Sequence, residues 1–352
     1  MKRVLVAMSG GVDSSVAAAL ALAQGYEVVG ATMKLWGGPS DSGCCSVADV
    51  EDARRVCQQL GVAHHVFNFT AEFEREVVAR YVSAHEQAAT PNPCISCNAH
   101  LKFDRFFERA RQLGFDMIAT GHHARVTCTD GVFRLRRGHD PAKDQSYVLY
   151  MLGQQQLSSL ELPVGEMTKA QVRAVAADLR LRTAAKADSQ DVCFISRQGG
   201  RQAFLGERIP VRPGRLVGKD GSDFGEVPEL ELLTVGQRRG LGTAVTGPER
   251  RYVVGVDLAT RTATLGSLED LLVAEIPVAD VSWSAAPVPA GTAVMVQASA
   301  HGRPLAARWQ PSRPHAGRVV LEERARRIAP GQAVVLYEGD IVLGGGTVPL
   351  PA

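Results

Sequence analysis

The start of the chain is not expected to act as a leader or a membrane anchor. Its start, MKRVLVAMSGG, offers an apolar run of only five residues (4–8) before glycines. That is too short for a signal-peptide core and far too short to cross a bilayer. A strong charge of one sign is also missing. The formal net charge is +2, so any contact with nucleic acid has to come from local basic patches and not from a global field. The seven cysteines fall into no regular framework, which argues against a secreted disulfide scaffold. The expectation is a cytoplasmic protein with reduced thiols and no membrane partner. There is no internal repeat and no low-complexity tail. Neither a Walker A lysine nor a G-x-G-x-x-G run follows the first apolar segment, which removes P-loop NTPases and dinucleotide binders as natural readings.

What is present alternates strand and helix signals through the first half. RVLVAM (3–8) reads as a strand buried on both faces. Residues 12–23 read as a helix stopped by Gly25, and YEVVGATM (26–33) as a second strand. Ser46 with Asp49 forms a capping-box pattern for a helix ending near Gly61. AHHVFNF (63–69) reads as a third strand. Thr70 is positioned to cap a helix into the low 80s, another helix is expected from Asn98 to Leu113, and DMIATG (116–121) gives a fourth strand. Strands separated by helices imply an α/β fold with a doubly wound parallel sheet. After residue 200 the texture becomes Gly-rich with short apolar runs, and alternation from about 275 onward indicates a small antiparallel barrel. The expected organisation is a catalytic domain at 1–200, a small β-rich central domain at 201–274, and a C-terminal β-barrel at 275–352.

VAMSGGVDSSVAAA is the most informative segment. Strand, Ser-Gly-Gly turn and helix follow one another directly. The glycines let backbone N–H groups approach an anion, and the helix N-terminus adds favourable partial charge. The pattern Ser9-Gly10-Gly11-Val12-Asp13-Ser14 resembles the pyrophosphate loop of N-type ATP pyrophosphatases, which cleave ATP between the α and β phosphates. A nucleotide there sits beyond the carboxyl ends of the strands. Met33, ending the second strand, is placed to pack on adenine, and Gly121, ending the fourth, to let the nucleotide pass close to backbone. Asp13 is a candidate for Mg²⁺ and equally for capping the helix.

The cysteines sort by context. Cys57 lies on the helical stripe Val47, Val50, Ala53, Val56/Cys57, Leu60, and reads as core. Cys128 shares a face with Ala124 and Val126 in a hairpin turning at Asp130-Gly131, and also reads as core. Cys44 and Cys45 are adjacent in a loop and receive no chemistry. Cys94 and Cys97, in TPNPCISC, differ. Pro91 and Pro93 read as holding the segment extended or turned, and Cys97 stands just before the expected helix, where a thiolate is favoured. A tetrahedral zinc site wants a second close pair, and Cys193 stands alone in SQDVCFIS. An iron–sulfur site from Cys94, Cys97 and Cys193 stays open on sequence grounds.

Taken together, AMSGGVDSSVAA, GCCS with DARRVC, TPNPCISCN with LKF, ATGHHAR, KDQSYVLY, KADSQDVCFIS, TVGQRRGLG and APGQAVVLYEGD resemble the tRNA-specific 2-thiouridylase family over nearly the whole length. The resemblance implies an adenine nucleotide alpha hydrolase-like fold and ATP-dependent 2-thiolation of the wobble uridine of tRNA. It implies Cys97 as nucleophile, Cys193 as persulfide carrier, and a transient disulfide between them. ATP is implied along Ala7, Met8, Ser9, Gly10, Gly11, Val12, Asp13 and Ser14, with Mg²⁺ on its phosphates. Asn92, Pro93 and Cys94 would line the target base, while His122, Lys143, Asp144, Gln145 and Gln332 would contact tRNA. A sulfur-relay protein would be the donor. The chain departs from the family pattern at Cys94, where Asp is frequent, at 162–165 (LPVG), at 225–232 (GEVPELEL) and at Ser299. Two rivals compete with thiolation. One is another ATP pyrophosphatase, such as a small-molecule ligase or amidotransferase, which leaves Cys97 and Cys193 idle. The other is a non-enzymatic redox or metal module, which leaves the phosphate loop idle.

Overall fold

The computed structural model describes residues 1–36, 46–188, 192–195, 200–241 and 250–350; Cys44 and Cys45 lie outside them. A parallel sheet is built from β1 (Arg3–Ala7), β2 (Glu27–Lys34), β3 (His64–Asn68) and β4 (Met117–Ala119). After a hairpin, β5 (Ala124–Thr129) and β6 (Val132–Arg137), the two-residue β7 (Leu160–Glu161) completes it. The order is β3-β2-β1-β4-β7, and every pairing is parallel. The direction of winding reverses between β1 and β4, and the crevice beyond their carboxyl ends is where such sheets receive ligands.

Helix α1 (Val12–Ala23) follows β1 directly, and its Ala/Val face packs on the sheet with α2 (Val47–Gln59) and the helix Lys169–Asp178. Ser46 and Asp49 form the expected capping box, Asp49 N donating to Ser46 Oγ at 3.1 Å. Cys57 is fully buried, and desolvation pushes its thiol up to about 11. Val47, expected on the same stripe, is instead exposed, at the first position of the helix. Each fully buried strand residue, such as Leu5 or Ile118, contributes roughly 1.5–3 kcal/mol over exposure.

Two helices depart from expectation. The first runs as Thr70–Phe73, Glu74–Val78 and Ala79–His85, with a π segment in the middle. Thr70 does not cap it, since Phe69 holds the N-cap position. Asn68 Oδ1 accepts from both Thr70 N (3.1 Å) and Thr70 Oγ1 (2.8 Å). The second helix begins at Pro93, not at Asn98, and runs as Pro93–Ser96, Cys97–Arg105 and Phe106–Gln112. Asn92 caps it, its Oδ1 accepting from Cys94 N at 3.0 Å. Asn-Pro is a favourable N-cap and N1 pair, because proline lacks only an N–H that the first turn leaves unused.

The remaining strands form two further sheets. β8 (Gly214–Gly218), β9 (Asp223–Val227), β10 (Tyr252–Asp257) and β11 (Thr262–Gly266) make a small sheet in the order β10-β11-β8-β9, over a core of Leu216, Val253 and Leu265. β12 (Leu272–Trp283), β13 (Ala293–Gln297), β14 (Leu305–Arg313), β15 (Ala316–Arg326), β16 (Ala333–Glu338) and β17 (Ile341–Thr347) form a barrel. Pairing of β12 with β17 closes it, and closure removes the open edges. The β5–β6 hairpin adds onto β17, where Asp340 bridges Arg125 and Arg136 at 2.7 Å each. Leu135 and Tyr147 share a core with Val335, Tyr337 and Val342, so one wall of the barrel is also a wall of the nucleotide-type fold. Asp130 and Gly131 take left-handed backbone at the hairpin turn (φ 52° and 76°), as a two-residue turn requires. Cys128, expected in the core, is exposed; it pairs across to Phe133 near the hairpin tip, beyond the sheet's cover.

Candidate active site

The loop from Ser9 to Ser14 sits at the carboxyl end of β1. Gly10 has φ +71°, and a Cβ there would lie 2.3 Å from the carbonyl oxygen of Asp49. Only glycine allows the loop to pass this close to the start of α2. No side chain caps α1 at Gly11, so its first turn presents backbone donors and the positive end of the helix dipole toward the loop. Ser14 Oγ anchors the loop internally, accepting from Ser9 N at 3.2 Å and donating to Gly11 O at 3.1 Å. These features fit a polyphosphate: small residues, an uncapped helix and hydroxyls already oriented.

A Cβ at Gly121 would meet Asp13 C and Ser14 N at 2.6 Å, so the segment after β4 passes close to the first turn of α1. Met33 is buried at the end of β2, in the core that also contains Leu35 and Phe73.

A charge network that the sequence reading did not identify surrounds the loop. Lys169 Nζ lies 2.7 Å from both Asp13 carboxylate oxygens and 3.0 Å from Asp188 Oδ1. His123 Nε2 lies 3.1 Å from Asp13 Oδ1. Burial alone would raise Asp13, but the bonds from His123 and Lys169, with the lysine's charge, take it below its ordinary value. Asp188 is likewise lowered against its own desolvation, by Lys143 and Lys169. Both carboxylates therefore stabilise the fold above their unfolded pKa, and that contribution is lost as pH falls through the folded values. Lys186 Nζ reaches Gly10 O at 2.9 Å, Asp49 at 2.6 Å and Asp52 at 2.7 Å. Desolvation lowers Lys186, but these two carboxylates outweigh it and hold its pKa raised. ATGHH and KADSQDVC carried His123, Lys186 and Asp188 in plain view, and Thr168 with Gln171 marks a capping box that places Lys169 at N1. No local pattern could have paired them with the loop.

Cys97 opens a nine-residue π segment of its helix, a widening often found at functional sites. It is in the helix's second turn, not before its N-terminus as expected; Cys94 occupies the first turn. Cys97 is buried in the large core, and Cys193 packs against that same core half-buried. The next residue, Phe194, fixes the Cys193 segment by edge contacts to Phe73 (5.6 Å), Tyr81 (5.7 Å) and Phe204 (5.1 Å). Among the described residues no three His, Cys, Asp or Glu side chains are grouped to hold a metal.

The residues expected at the nucleic acid differ in accessibility. Gln145 is exposed, with its Oε1 accepting from His123 N at 2.8 Å. Lys143 is paired with Asp188 at 2.7 Å, its side chain 40% exposed. The Gln332 side chain donates to Thr90 O and ties the barrel to the segment before Asn92. Asp144, expected to meet tRNA, is turned inward. It is buried and accepts from Arg137 Nη1, Gly138 N, Ser146 N and Ser146 Oγ at 2.9–3.0 Å. His122 is also buried, sharing a 2.7 Å bond with Thr120 Oγ1. Desolvation, with Lys102 nearby, lowers its pKa well below the usual histidine range, so it is neutral near pH 7.

Residues 2–197 match a family described as a tRNA methyl transferase HUP domain, and residues 273–348 match an aminomethyltransferase β-barrel domain. The chain is 45% identical to the tRNA-specific 2-thiouridylase MnmA of Chloroflexus aggregans, covering 100% of this chain and 99% of that protein. It is 43% identical to the tRNA-specific 2-thiouridylase MnmA of Geotalea uraniireducens, covering 99% of this chain and 95% of that one. The protein of the same name from Symbiobacterium thermophilum is 43% identical, over 99% of this chain and 92% of its own length.

Proposed function

The chain belongs to the tRNA-specific 2-thiouridylase family, and from that membership we infer that it uses ATP to replace the C2 oxygen of a tRNA wobble uridine with sulfur. The observation that best supports this reading is the shared setting of three features. Cys97 and the Cys193 segment pack on one core that includes Ala7, the last residue of β1, and the phosphate loop follows directly after that strand.

A uridine C2 carbonyl is a poor electrophile with a poor leaving group. Attack of its oxygen on the α-phosphorus of ATP breaks the α–β bond, releases pyrophosphate and leaves an adenylated C2. The loop residues Ser9, Gly10, Gly11 and Ser14, with the uncapped start of α1, hold the departing anion. Mg²⁺ on the phosphates would offset further charge. The terminal sulfur of a Cys193 persulfide then attacks C2, and AMP leaves with the original oxygen. Attack of the Cys97 thiolate on Cys193 Sγ breaks the remaining S–S bond, giving 2-thiouridine and a Cys97–Cys193 disulfide. If Cys97 instead releases hydrosulfide first, the same disulfide results. A thiol reductant resets the pair, and a sulfur-relay protein reloads Cys193.

The target base enters unstacked, as an anticodon loop permits, with Asn92, Pro93 and Cys94 beside it. Residues 1–200 carry the reaction, while 201–274 and the barrel at 275–352 steady the RNA through Gln332 and exposed arginines. Among the described residues no helix is long and apolar enough to cross a membrane, and we place the reaction in the reducing cytoplasm. Anaerobic incubation of the protein with ATP, a persulfide donor and unmodified tRNA, followed by nucleoside mass spectrometry, tests the reading. The expected product is 2-thiouridine, formed only with ATP and matched by AMP. A methylated nucleoside in place of the thiolated one, or pyrophosphate release that needs no RNA, would overturn it.

A further inference from the structure

Two adjacent glycines give the phosphate loop one peptide that nothing local holds. The unit between Gly10 and Gly11 can turn over by changing ψ of the first residue and φ of the second, and neither has a side chain to resist. In a planar trans peptide the C=O and the N–H point in opposite directions. One orientation therefore offers a phosphate the Gly11 N–H, which attracts it. The other offers a carbonyl oxygen, which repels it.

The peptide that follows is well secured. Gly11 O accepts from Ser15 Oγ at 2.8 Å, Ser14 Oγ at 3.1 Å and Ser15 N at 3.3 Å, all from α1. Gly10 O has a single donor among the described residues, Lys186 Nζ at 2.9 Å. That lysine belongs to a segment tied down on its own account. Thr183 Oγ1 donates to Ser15 Oγ at 3.0 Å, and Arg173 Nη1 donates to Ala184 O at 2.9 Å and Lys186 O at 3.0 Å. Asp49 and Asp52 hold the same ammonium at 2.6 and 2.7 Å, yet neither depends on it. Asp49 also accepts from Ser46 Oγ at 2.7 Å, and Asp52 pairs with Arg182 at 2.9 Å. Losing the ammonium therefore leaves Gly10 O as the group without a partner. Gly11 N, facing the opposite way, donates to no acceptor among the described residues.

We propose that Lys186 is a positioning residue for the nucleotide: by holding Gly10 O it fixes the Gly10–Gly11 peptide with the Gly11 N–H turned to the phosphate side. This role rests on the reading of the loop as an ATP site. Gly11 has φ −94° and ψ 168°, which alanine accepts, and an added Cβ would meet only Ser9 Oγ, at 3.4 Å. Turning the peptide over carries that φ to a positive value, which alanine resists. Gly11→Ala therefore supplies from the backbone the restraint that Lys186 supplies from outside the loop.

The test is equilibrium binding of an ATP analogue that cannot be cleaved between the α and β phosphates, to the full chain without RNA. Lys186→Met should weaken binding by about 20-fold, and Lys186→Arg, which keeps donors for the carbonyl and both carboxylates, should stay within about fivefold of the parent. In a Gly11→Ala background the same Lys186→Met change should cost about threefold or less. A lysine acting only through its charge or through fold stability would cost the same in both backgrounds. Unchanged affinity in Lys186→Met overturns the proposal, as does an equal loss in the two backgrounds. If Lys186→Met does not fold, or Gly11→Ala alone abolishes binding, amine rescue of Lys186→Ala decides. Propylammonium should restore binding and tetramethylammonium, a cation without N–H donors, should not; any other pattern overturns the proposal. Failure of the parent chain itself to bind the analogue is a separate result that overturns the ATP reading along with the proposal.

Discussion

Cys193→Ser is expected to abolish 2-thiouridine formation, a loss of at least about a thousandfold, while nucleotide binding persists. A serine hydroxyl cannot carry a sulfane sulfur, so no neighbouring group can compensate. The distinguishing feature is the split between half-reactions. The phosphate loop gains its order from Ser14, Gly11 and Lys186, none of which depends on the Cys193 sulfur. The variant should therefore still bind the ATP analogue within a few-fold of the parent. Phe194, which fixes the segment through its aromatic contacts, is untouched, so folding should be unaffected. Residual thiolation at even a few per cent of the parent rate would mean that sulfur reaches C2 by another carrier. Titration of nucleotide binding and quantification of the thiolated nucleoside on the same preparation decide the matter.

Gly10→Ala should be the most damaging single methyl group that can be added near the loop. At φ +71° an alanine incurs about 1–2 kcal/mol of backbone strain, and its Cβ would stand 2.3 Å from Asp49 O, with Asp49 C and Cα at 2.9 Å. Those are backbone atoms of the capping box, so relief requires α2 or the loop to shift, costing about 1–3 kcal/mol more. A displacement of the loop by about 1 Å is enough to lose ~100-fold in nucleotide handling. Gly25→Ala separates strain from clash, since its φ is +82° and nothing lies within 4 Å of the added carbon. It should lower the melting temperature slightly and leave nucleotide affinity alone. If Gly10→Ala behaves like Gly25→Ala, the loop is softer than its packing implies.

The legible parts of this molecule were those whose signals are local. The α1 boundary at Gly25, the Ser46–Asp49 capping box, the Asp130-Gly131 hairpin and the strand–loop–helix at Ser9–Ser14 each lie within a few residues of sequence, and each folds as its pattern implies. The Cys97 helix starts earlier than its local pattern suggests, because Pro93, a breaker inside a helix, serves behind Asn92 as a first helical residue. That shift moved Cys97 into the second turn and gave Cys94 the terminal position. Long-range pairing was beyond local reading. Lys169 meets Asp13 across 156 residues, and Lys186 meets Gly10 across 176. Asp144 shows the converse, because a charged residue in an apparently solvated run turns out to be an interior anchor for Arg137, Gly138 and Ser146.

The most direct test of the account is a single turnover with Cys193 preloaded as persulfide, under argon and without added thiol, followed by non-reducing peptide mass spectrometry. One Cys97–Cys193 disulfide should appear for each 2-thiouridine formed, and neither should appear without ATP. Thiolated tRNA accumulating while the two cysteines remain unlinked would contradict the account.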